Sequence, residues 1–398
     1  MVARMLARHL AALACIPLMG CFSRGISPVI SEATLPGDDY LIEIPVTADR
    51  YLVAEVKFGA EPRSALIDTG ASMSVLDDDL AATLGLATVG TAPVIDFEGK
   101  RASAPVVRVP SLTLGGVPVL DVGMVVLDLD SLGDAECKRI GAVIGNNVLR
   151  GALEVDVGGG VVRLAASTER LGARPGGLTT SSYPPSYNVL LPPVVTTFLP
   201  QPVWVDTGSP MTITATRSVV RRLDPGASLA LTTVAGGVHG RTARPVKRRL
   251  FAWSGPPIGG LDLTGVSTVG GAGSTTIGLG VLRSFVLRVD REARKITLWP
   301  NDTPLRKGID SFGLAIDPSD EPRVYWLIEG SPASEAGVRW GDRVVSIDGE
   351  ALATMAPQAR CLAIRDLNKR EAVRLGLARG PEVQEVALKR RQLLPQPS

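Results

Sequence analysis

The chain repeats one ordered set of short motifs. A strand-like segment ends in Asp-Thr-Gly at residues 68–70, and a second one ends in the same tripeptide at residues 206–208. Each is followed by an isoleucine-glycine pair, Ile144-Gly145 in the first copy and Ile277-Gly278 in the second. Together with later Val-Leu-Arg and Val-Asp repeats, the motifs recur at offsets of 138, 133, 133 and 134 residues. Co-linear repeats at nearly one offset indicate two copies of a unit of about 130 residues.

The residues between these motifs predict β-structure. Val and Leu alternate or run together between glycine turns, as around Val117–Leu129 and Val155–Leu164, which is typical of strands joined by hairpins. Hydrophobic residues make up 45% of the 398 residues, which excludes a disordered chain and suits one with real cores. Within the two copies few helices are predicted, at Asp77–Leu84 and Arg217–Leu223. Residues 168–186, rich in Gly, Pro, Ser and Thr, are predicted to connect the copies.

The scarcity of His and Cys narrows the chemistry. The sequence has two His and four Cys, and one His and two Cys lie in the first 21 residues. Beyond that segment only His239, Cys137 and Cys361 remain. Since a zinc site needs three or four clustered ligands, the sequence predicts no metal site, and it predicts no cofactor. A serine or cysteine protease would have to use His239 as its imidazole base, so carboxylates are the expected chemistry of a hydrolase.

The N-terminus has the pattern of an export signal. Residues 1–20 contain two arginines, no acidic residue and an apolar run from Leu10 to Met19 that is too short to span a bilayer. The segment ends Leu-Met-Gly-Cys, which resembles the bacterial lipobox and implies lipid attachment at Cys21. An ordinary signal peptide cleaved nearby is the alternative. Residues 21–36 then form a flexible tether.

The charge balance argues against nucleic acid as a partner. Residues 1–20 hold two of the 42 Lys and Arg and none of the 40 Asp and Glu, so the rest of the chain carries 40 of each sign. No basic excess is left for a polyanion. The expected location is the bacterial cell envelope, lipid-anchored and facing the periplasm. Because Phe22 follows the cysteine in place of the aspartate of inner-membrane retention, the outer membrane is slightly favoured.

Two copies of Asp-Thr-Gly supply a pair of carboxylates. One copy alone is weak evidence, since a strand ending in a turn often contains Asp and Gly. Two carboxyl groups within hydrogen-bonding distance cannot both ionise, so one keeps a proton while the other stays charged. The charged group can take a proton from water, and the protonated group can donate to the carbonyl oxygen of a peptide bond. Such a pair titrates as a unit.

These motifs resemble the pepsin and retropepsin family of aspartic proteases. The resemblance implies an all-β fold with two retropepsin-like lobes in tandem, residues 37–167 and 187–300. It implies that Asp68 and Asp206 form a catalytic dyad that hydrolyses peptide bonds of a polypeptide substrate. The threonines would hydrogen-bond into the opposite loop and the glycines would allow close backbone approach. The residues implied to support the dyad are Thr69, Gly70, Thr207, Gly208 and Ser209.

The two loops differ three residues after each aspartate. The first copy has Ala71 and the second has Ser209. In the family a hydroxyl at this position donates to the catalytic carboxylate, which favours its ionised form. We therefore expect an asymmetric dyad, with a lowered pKa for Asp206 and a mildly acidic pH optimum.

The flap of the family, a hairpin that closes over substrate, is predicted at Val94–Val107. Its turn lies at Gly99, and Phe97 stands where pepsin-like members would offer a tyrosine, so the flap resembles the retroviral kind. The matching hairpin of the second copy is predicted at Val234–Pro245, where His239 is expected to be a solvated loop residue.

The composition changes after residue 300. Residues 308–392 resemble a PDZ domain of the kind associated with bacterial proteases. The resemblance implies that a loop of Phe312, Gly313 and Leu314 binds a peptide C-terminus or a regulator, with Pro357–Leu367 as the groove-lining helix. The alternative is a small β-rich spacer that binds nothing.

Two matters stay open in the sequence. Cys137 and Cys361 lie in different predicted domains. Export makes a disulfide chemically possible, but nothing in the sequence brings them together, so two free thiols are favoured over an inter-domain disulfide, which stays the alternative. The alternative to an envelope endopeptidase is a non-catalytic envelope adaptor that binds peptides. A third hypothesis is a latent protease that needs a peptide on its PDZ domain.

Overall fold

The computed structural model describes most of the chain beyond the predicted export signal. The described residues are 32–95, 101–130, 132, 137–179, 193–194, 198–199, 201–237 and 240–394. The predicted signal peptide, Cys21 and most of the tether lie outside them. In the described part of the chain, no helix combines the length and the apolarity that crossing a membrane requires.

The described part of the first lobe is built mainly of strands. The elements are β1 (Leu41–Ala48), β2 (Leu52–Phe58), β3 (Glu61–Ile67), β4 (Ser74–Asp77), α1 (Asp78–Thr83), β5 (Thr88–Ile95), β6 (Arg101–Leu114), β7 (Val117–Leu127), β8 (Ile140–Ile144), β9 (Ala152–Asp156) and β10 (Val161–Ala165). Alternation of exposed and buried residues along β1 matches a strand with one face on the core.

The second lobe repeats this order. Its elements, with the connector strand first, are β11 (Leu178–Thr179), β12 (Pro193–Val194), β13 (Val203–Asp206), β14 (Ile213–Thr216), α2 (Arg217–Leu223), β15 (Leu229–Gly237), β16 (Gly240–Ala252), β17 (Ser267–Ala272), β18 (Thr276–Gly278), α3 (Leu279–Leu282), β19 (Phe285–Asp290) and β20 (Lys295–Pro300). The Thr216 hydroxyl caps α2 by accepting from the Val219 N–H. One continuous apolar core extends through both lobes.

The C-terminal region has its own apolar core. Its elements are β21 (Ile309–Ser311), β22 (Leu314–Ile316), β23 (Val324–Ile328), α4 (Pro332–Glu335), β24 (Arg343–Ile347), β25 (Glu350–Ala351), α5 (Pro357–Arg365), β26 (Ala372–Arg379), β27 (Glu382–Lys389) and β28 (Arg391–Leu394). Three short 3-10 helices complete the described chain, at Glu169–Leu171, Leu352–Thr354 and Asp366–Lys369. The predicted all-β class is confirmed.

A single sheet joins the two lobes. Strand β9 of the first lobe pairs antiparallel with β19 of the second, inside a sheet of thirteen strands. Glu154 and Arg288 lie opposite each other in this pairing, and the guanidinium donates to Glu154 Oε2 from Nη2 at 2.5 Å and from Nε at 3.0 Å. Both side chains are buried, so removal of Glu154 would leave the Arg288 guanidinium without its carboxylate at the lobe junction.

Part of the predicted connector between the copies belongs to the same sheet. Within residues 168–186, strand β11 pairs antiparallel with β20, with Leu178 opposite Leu298 and Thr179 opposite Thr297. The Trp299 indole N–H also donates to the Pro175 carbonyl at 3.1 Å. A segment whose composition predicts a loop therefore belongs to the junction between the lobes.

The C-terminal region has its own core, and its sheet also continues that of the second lobe. Strand β23 pairs antiparallel with β15, with Leu231 opposite Ile328 and Thr233 opposite Trp326. Strand β22 pairs with the other side of β23 and ends this nine-stranded sheet. The edge strand β15 of a protease-lobe hairpin is thus covered by a neighbouring domain.

The expectation of two free thiols is wrong. Cys137, in the loop before β8, forms a disulfide with Cys361 on α5, and their Cα atoms are 5.4 Å apart. The fold brings them together because α5 lies against the first lobe, where Arg365 also contacts Asp49 at 2.9 Å. The C-terminal region is therefore attached to both lobes. A disulfide suits the predicted export, which stays a prediction.

Candidate active site

Each aspartate of the predicted dyad lies at the end of a short buried strand. Asp68 follows directly after β3, and Asp206 is the last residue of β13. Strand β8 lies parallel to β3, and β18 lies parallel to β13, so that an isoleucine-glycine strand runs beside each aspartate. The Asp68 N–H donates to the Ile144 carbonyl at 3.0 Å. Strands buried on both faces have near-continuous apolar sequences, which explains the runs that precede each Asp-Thr-Gly.

The threonines of the two loops bind each other across the lobe junction. The Thr69 hydroxyl donates to the Val205 carbonyl at 2.7 Å and accepts from the Thr207 N–H at 3.1 Å. The Thr207 hydroxyl donates to the Ile67 carbonyl at 2.7 Å and accepts from the Thr69 N–H at 3.0 Å. Both threonines are fully buried, so four hydrogen bonds fix the loops relative to each other.

The glycines that follow the threonines contact the aspartate of the opposite lobe. A Cβ added to Gly70 would lie 2.3 Å from Asp206 Oδ1, and one added to Gly208 would lie 2.2 Å from Asp68 Cγ. Both distances are far below van der Waals contact, so no other residue fits there without displacing a carboxyl group. Residues of both lobes therefore form one site.

The two carboxyl groups share a hydrogen bond and differ in their surroundings. Both aspartates are partly exposed, yet the protein surrounding their carboxyl groups desolvates them. Burial raises the pKa of Asp68, and the N–H groups of Gly70 at 2.7 Å and Ala71 at 3.1 Å oppose the rise. Burial and the charge of Asp68 raise the pKa of Asp206 well above its usual value. The pair therefore holds a single proton between its two carboxyl groups and titrates as a unit.

The expected lowering of the pKa of Asp206 by the Ser209 hydroxyl is wrong. Among the described residues, that hydroxyl makes no hydrogen bond to Asp206; it lies beside Gly278, where an added Cβ would be 3.0 Å from Ser209 Oγ. Only the N–H groups of Gly208, at 3.0 Å, and Ser209 oppose the rise in the pKa of Asp206. The dyad is asymmetric, but in the opposite sense to the expectation.

Two asparagines of the first lobe support its aspartate loop, and sequence reasoning missed them. The Asn147 amide oxygen accepts from the Ser74 N–H and hydroxyl, both at 2.8 Å. The Asn146 amide nitrogen donates to the carbonyls of Thr69 and Ala71, both at 2.8 Å. The available signal was a difference between copies, since Leu279-Gly280 stands where the first copy has Asn146-Asn147.

The structure describes the stems of both predicted flap hairpins. In the first lobe β5 pairs with β6 up to Ile95 opposite Arg101, and Phe97 and Gly99 lie outside the described residues. In the second lobe β15 pairs with β16 up to Gly237 opposite Gly240, and His239 also lies outside.

The predicted peptide-binding loop precedes an edge strand. Phe312 is buried, Gly313 has a φ of +84° against the side chain of Ser331, and Leu314 begins β22. In the described part of the chain, β22 pairs with β23 on one side and with no strand on the other. The Gly313 N–H already donates to Ser311 Oγ at 3.0 Å, so it is engaged within the loop.

Comparison with known families agrees with this architecture. A family model described as an aspartyl protease matches residues 54–148, which include Asp68 and end just after the Ile-Gly strand of the first lobe. A family model described as a PDZ domain matches residues 323–379. No curated protein matches the chain significantly. The resemblance predicted from the motifs is confirmed, and the chain combines an aspartyl protease domain with a C-terminal PDZ domain.

Proposed function

We propose that the protein is an aspartic endopeptidase in which Asp68 and Asp206 act together on a bound water molecule. The observation that carries the proposal is the geometry of the dyad: the Asp68 carboxyl group lies against Gly208 of the opposite lobe, and the Asp206 carboxyl group lies against Gly70. Reciprocal threonine contacts fix the loops that carry them. Such preorganisation is what acid–base catalysis by a carboxyl pair requires.

The unequal surroundings assign a role to each carboxyl group. Charged Asp68 takes a proton from water while the water oxygen bonds to the peptide carbonyl carbon. Protonated Asp206 donates its proton to the carbonyl oxygen, which gives a neutral gem-diol. Collapse of that intermediate breaks the C–N bond as Asp68 gives its proton to the leaving amine nitrogen and charged Asp206 takes a proton from one hydroxyl of the gem-diol. The products are a carboxylic acid and an amine, and the dyad returns to its starting protonation. No covalent bond forms between protein and substrate in this sequence.

The pH dependence of cleavage tests the proposal. Activity requires one proton on the pair, so it falls when Asp68 gains a proton at low pH and when Asp206 loses its proton at higher pH. Since both pKa values are raised from the ordinary 3.8, we expect a bell-shaped profile of kcat/KM with its maximum above pH 3.8. The measurement is hydrolysis of an unstructured protein from acidic to neutral pH. A maximum below pH ~3 would contradict the pKa assignment.

A transition-state mimic separates catalysis from mere binding. A statine-type hydroxyl placed between the two carboxyl groups is expected to abolish cleavage at stoichiometric concentration, because tight binding needs a competent dyad. If the full chain binds unstructured peptides but neither cleaves them nor binds the mimic, the adaptor hypothesis replaces the protease.

We also propose that the PDZ domain binds a peptide C-terminus as an added strand on β22. The free edge of β22 supports the proposal, because an extended peptide can pair with such an edge through main-chain hydrogen bonds. The neighbouring helix α5 is held at two points: Cys361 is bonded to the first lobe, and Arg360 contacts Asp320 at 2.6 Å.

A pair of matched peptides tests this second site. A labelled hexapeptide ending in valine with a free carboxylate is expected to bind the full chain with a Kd of about 1–100 µM, and its amidated twin at least ~10-fold more weakly. Binding is measured by fluorescence anisotropy with the transition-state mimic present, so that the protease site is filled. Equal binding of the twins, or none up to ~1 mM, would favour the spacer hypothesis.

A further inference from the structure

One side chain of the second lobe reaches the aspartate loop of the first. Arg291 begins the turn between β19 and β20, and its guanidinium crosses the lobe junction. Its Nε donates to the Leu149 carbonyl at 3.0 Å, and its Nη2 donates to the amide oxygen of Asn146. The bond to Leu149 fixes the planar guanidinium, and the second bond holds the amide oxygen of Asn146.

Asn146 connects Arg291 to the backbone around Gly70 through hydrogen bonds. The asparagine is 1% exposed, and its amide nitrogen donates to the Thr69 and Ala71 carbonyls, both at 2.8 Å. With both amide hydrogens used on the loop, the amide oxygen needs a donor from another direction, and Arg291 supplies it. A buried amide that lost this donor would carry an unsatisfied oxygen or rotate away from the loop.

In the described part of the chain, the second lobe has no equivalent pair of side-chain hydrogen bonds on its own aspartate loop. The backbone contact is repeated, since the Leu279 N–H donates to the Ser209 carbonyl at 2.8 Å as the Asn146 N–H donates to the Ala71 carbonyl at 2.9 Å. The apolar side chain of Leu279, however, cannot donate to a carbonyl. Val157 stands at the position of the first copy that corresponds to Arg291. Among the described residues, the hydrogen bonds from Arg291 through Asn146 therefore support only the loop of Asp68.

We infer that Arg291 is a positioning residue that holds the Asp68 loop in its reactive geometry through Asn146. The inference rests on the proposed function, in which Asp68 takes the proton from water. Arg291 acts on the loop and not on bound substrate, so its loss should lower kcat and leave KM nearly unchanged. It also makes the geometry of the first loop depend on docking of the second lobe.

The test compares Arg291→Met with Lys295→Met, which removes the same charge from an exposed position of the same hairpin. Misplacement by about 1 Å can cost about 100-fold in rate, so we expect kcat of Arg291→Met to fall by about 10- to 100-fold. Lys295→Met should behave as the parent. Arg291→Lys, which keeps one donor, should recover part of the loss. A kcat of Arg291→Met equal to that of the parent overturns the inference.

A double variant distinguishes positioning through Asn146 from a general contribution of Arg291 to the contact between the lobes. Asn146→Leu copies the second lobe and removes these side-chain hydrogen bonds, so adding Arg291→Met should cause no further fall in kcat. Additive losses would mean that Arg291 acts by another route and would overturn the inference.

Hydrogen–deuterium exchange tests the positioning role of Arg291 without an activity measurement. Arg291→Met should speed exchange selectively in peptides covering residues 66–74, and unchanged exchange there overturns the inference. If the parent fails to cleave while this selective change appears, the proposed function fails and the positioning role stands.

Discussion

Replacement of either dyad aspartate by asparagine is expected to lower kcat/KM by about 1,000-fold or more. Asp68→Asn removes the only group assigned to take a proton from water. Asp206→Asn keeps an N–H near the carbonyl oxygen but removes the transferable proton. Substrate affinity should change little, because asparagine is nearly isosteric with aspartate and the threonine contacts between the loops are retained.

Asp206→Asn should lower activity without lowering the stability of the fold. Because the pKa of Asp206 is raised in the folded protein, stability from this group is present at low pH and is lost as pH rises through the folded pKa. Asp206→Asn cannot ionise, so the variant should keep its Tm at neutral pH or gain slightly. A loss of activity with an unchanged or higher Tm excludes unfolding as its cause.

Asp302→Asn provides the matched control. Asp302 is exposed, lies beyond β20 and should tolerate asparagine without effect on cleavage of an unstructured protein. Either dyad variant cleaving at the rate of the control would show that the dyad assignment is wrong.

The sequence predicted the local parts of this site because they are encoded by short, repeated patterns. A buried strand followed by Asp-Thr-Gly needs only a continuous apolar run and a turn, and both copies contain one. Helix Arg217–Leu223 was also predictable, since a threonine cap precedes an apolar periodic segment. The hypothesis of a carboxyl pair followed from counting residues, because a single His remains beyond residue 21 while Asp-Thr-Gly occurs twice.

The sequence could not predict contacts that depend on how folded units meet. The Cys137–Cys361 disulfide joins residues 224 positions apart, and the pairing of β15 with β23 selects one strand edge among many. Neither contact has a periodic signature, since periodicity reports which face of an element is buried and not which partner buries it. The orientation of the Ser209 hydroxyl likewise depends on rotamer and packing, which a motif does not specify.

Gly208→Ala is expected to lower kcat by about 100-fold or more, although it adds a single methyl group. Gly208 does not have a left-handed φ, so alanine fits the backbone and the penalty falls on the space around the new Cβ. That atom would lie 2.2 Å from Asp68 Cγ and 2.3 Å from Asp68 Oδ2. The Asp68 carboxyl group must move away, and its movement breaks the hydrogen bond with Asp206 on which the shared proton depends.

Gly226→Ala is the control for this substitution. It lies in the same lobe, is exposed, and an added Cβ would meet no atom within 4 Å. Single-turnover hydrolysis separates the chemical step from substrate binding, and the loss in Gly208→Ala should appear in that step. A variant that retained parental kcat would mean that Asp68 tolerates displacement, and the close approach of the two lobes would then not be what sets the reactive geometry.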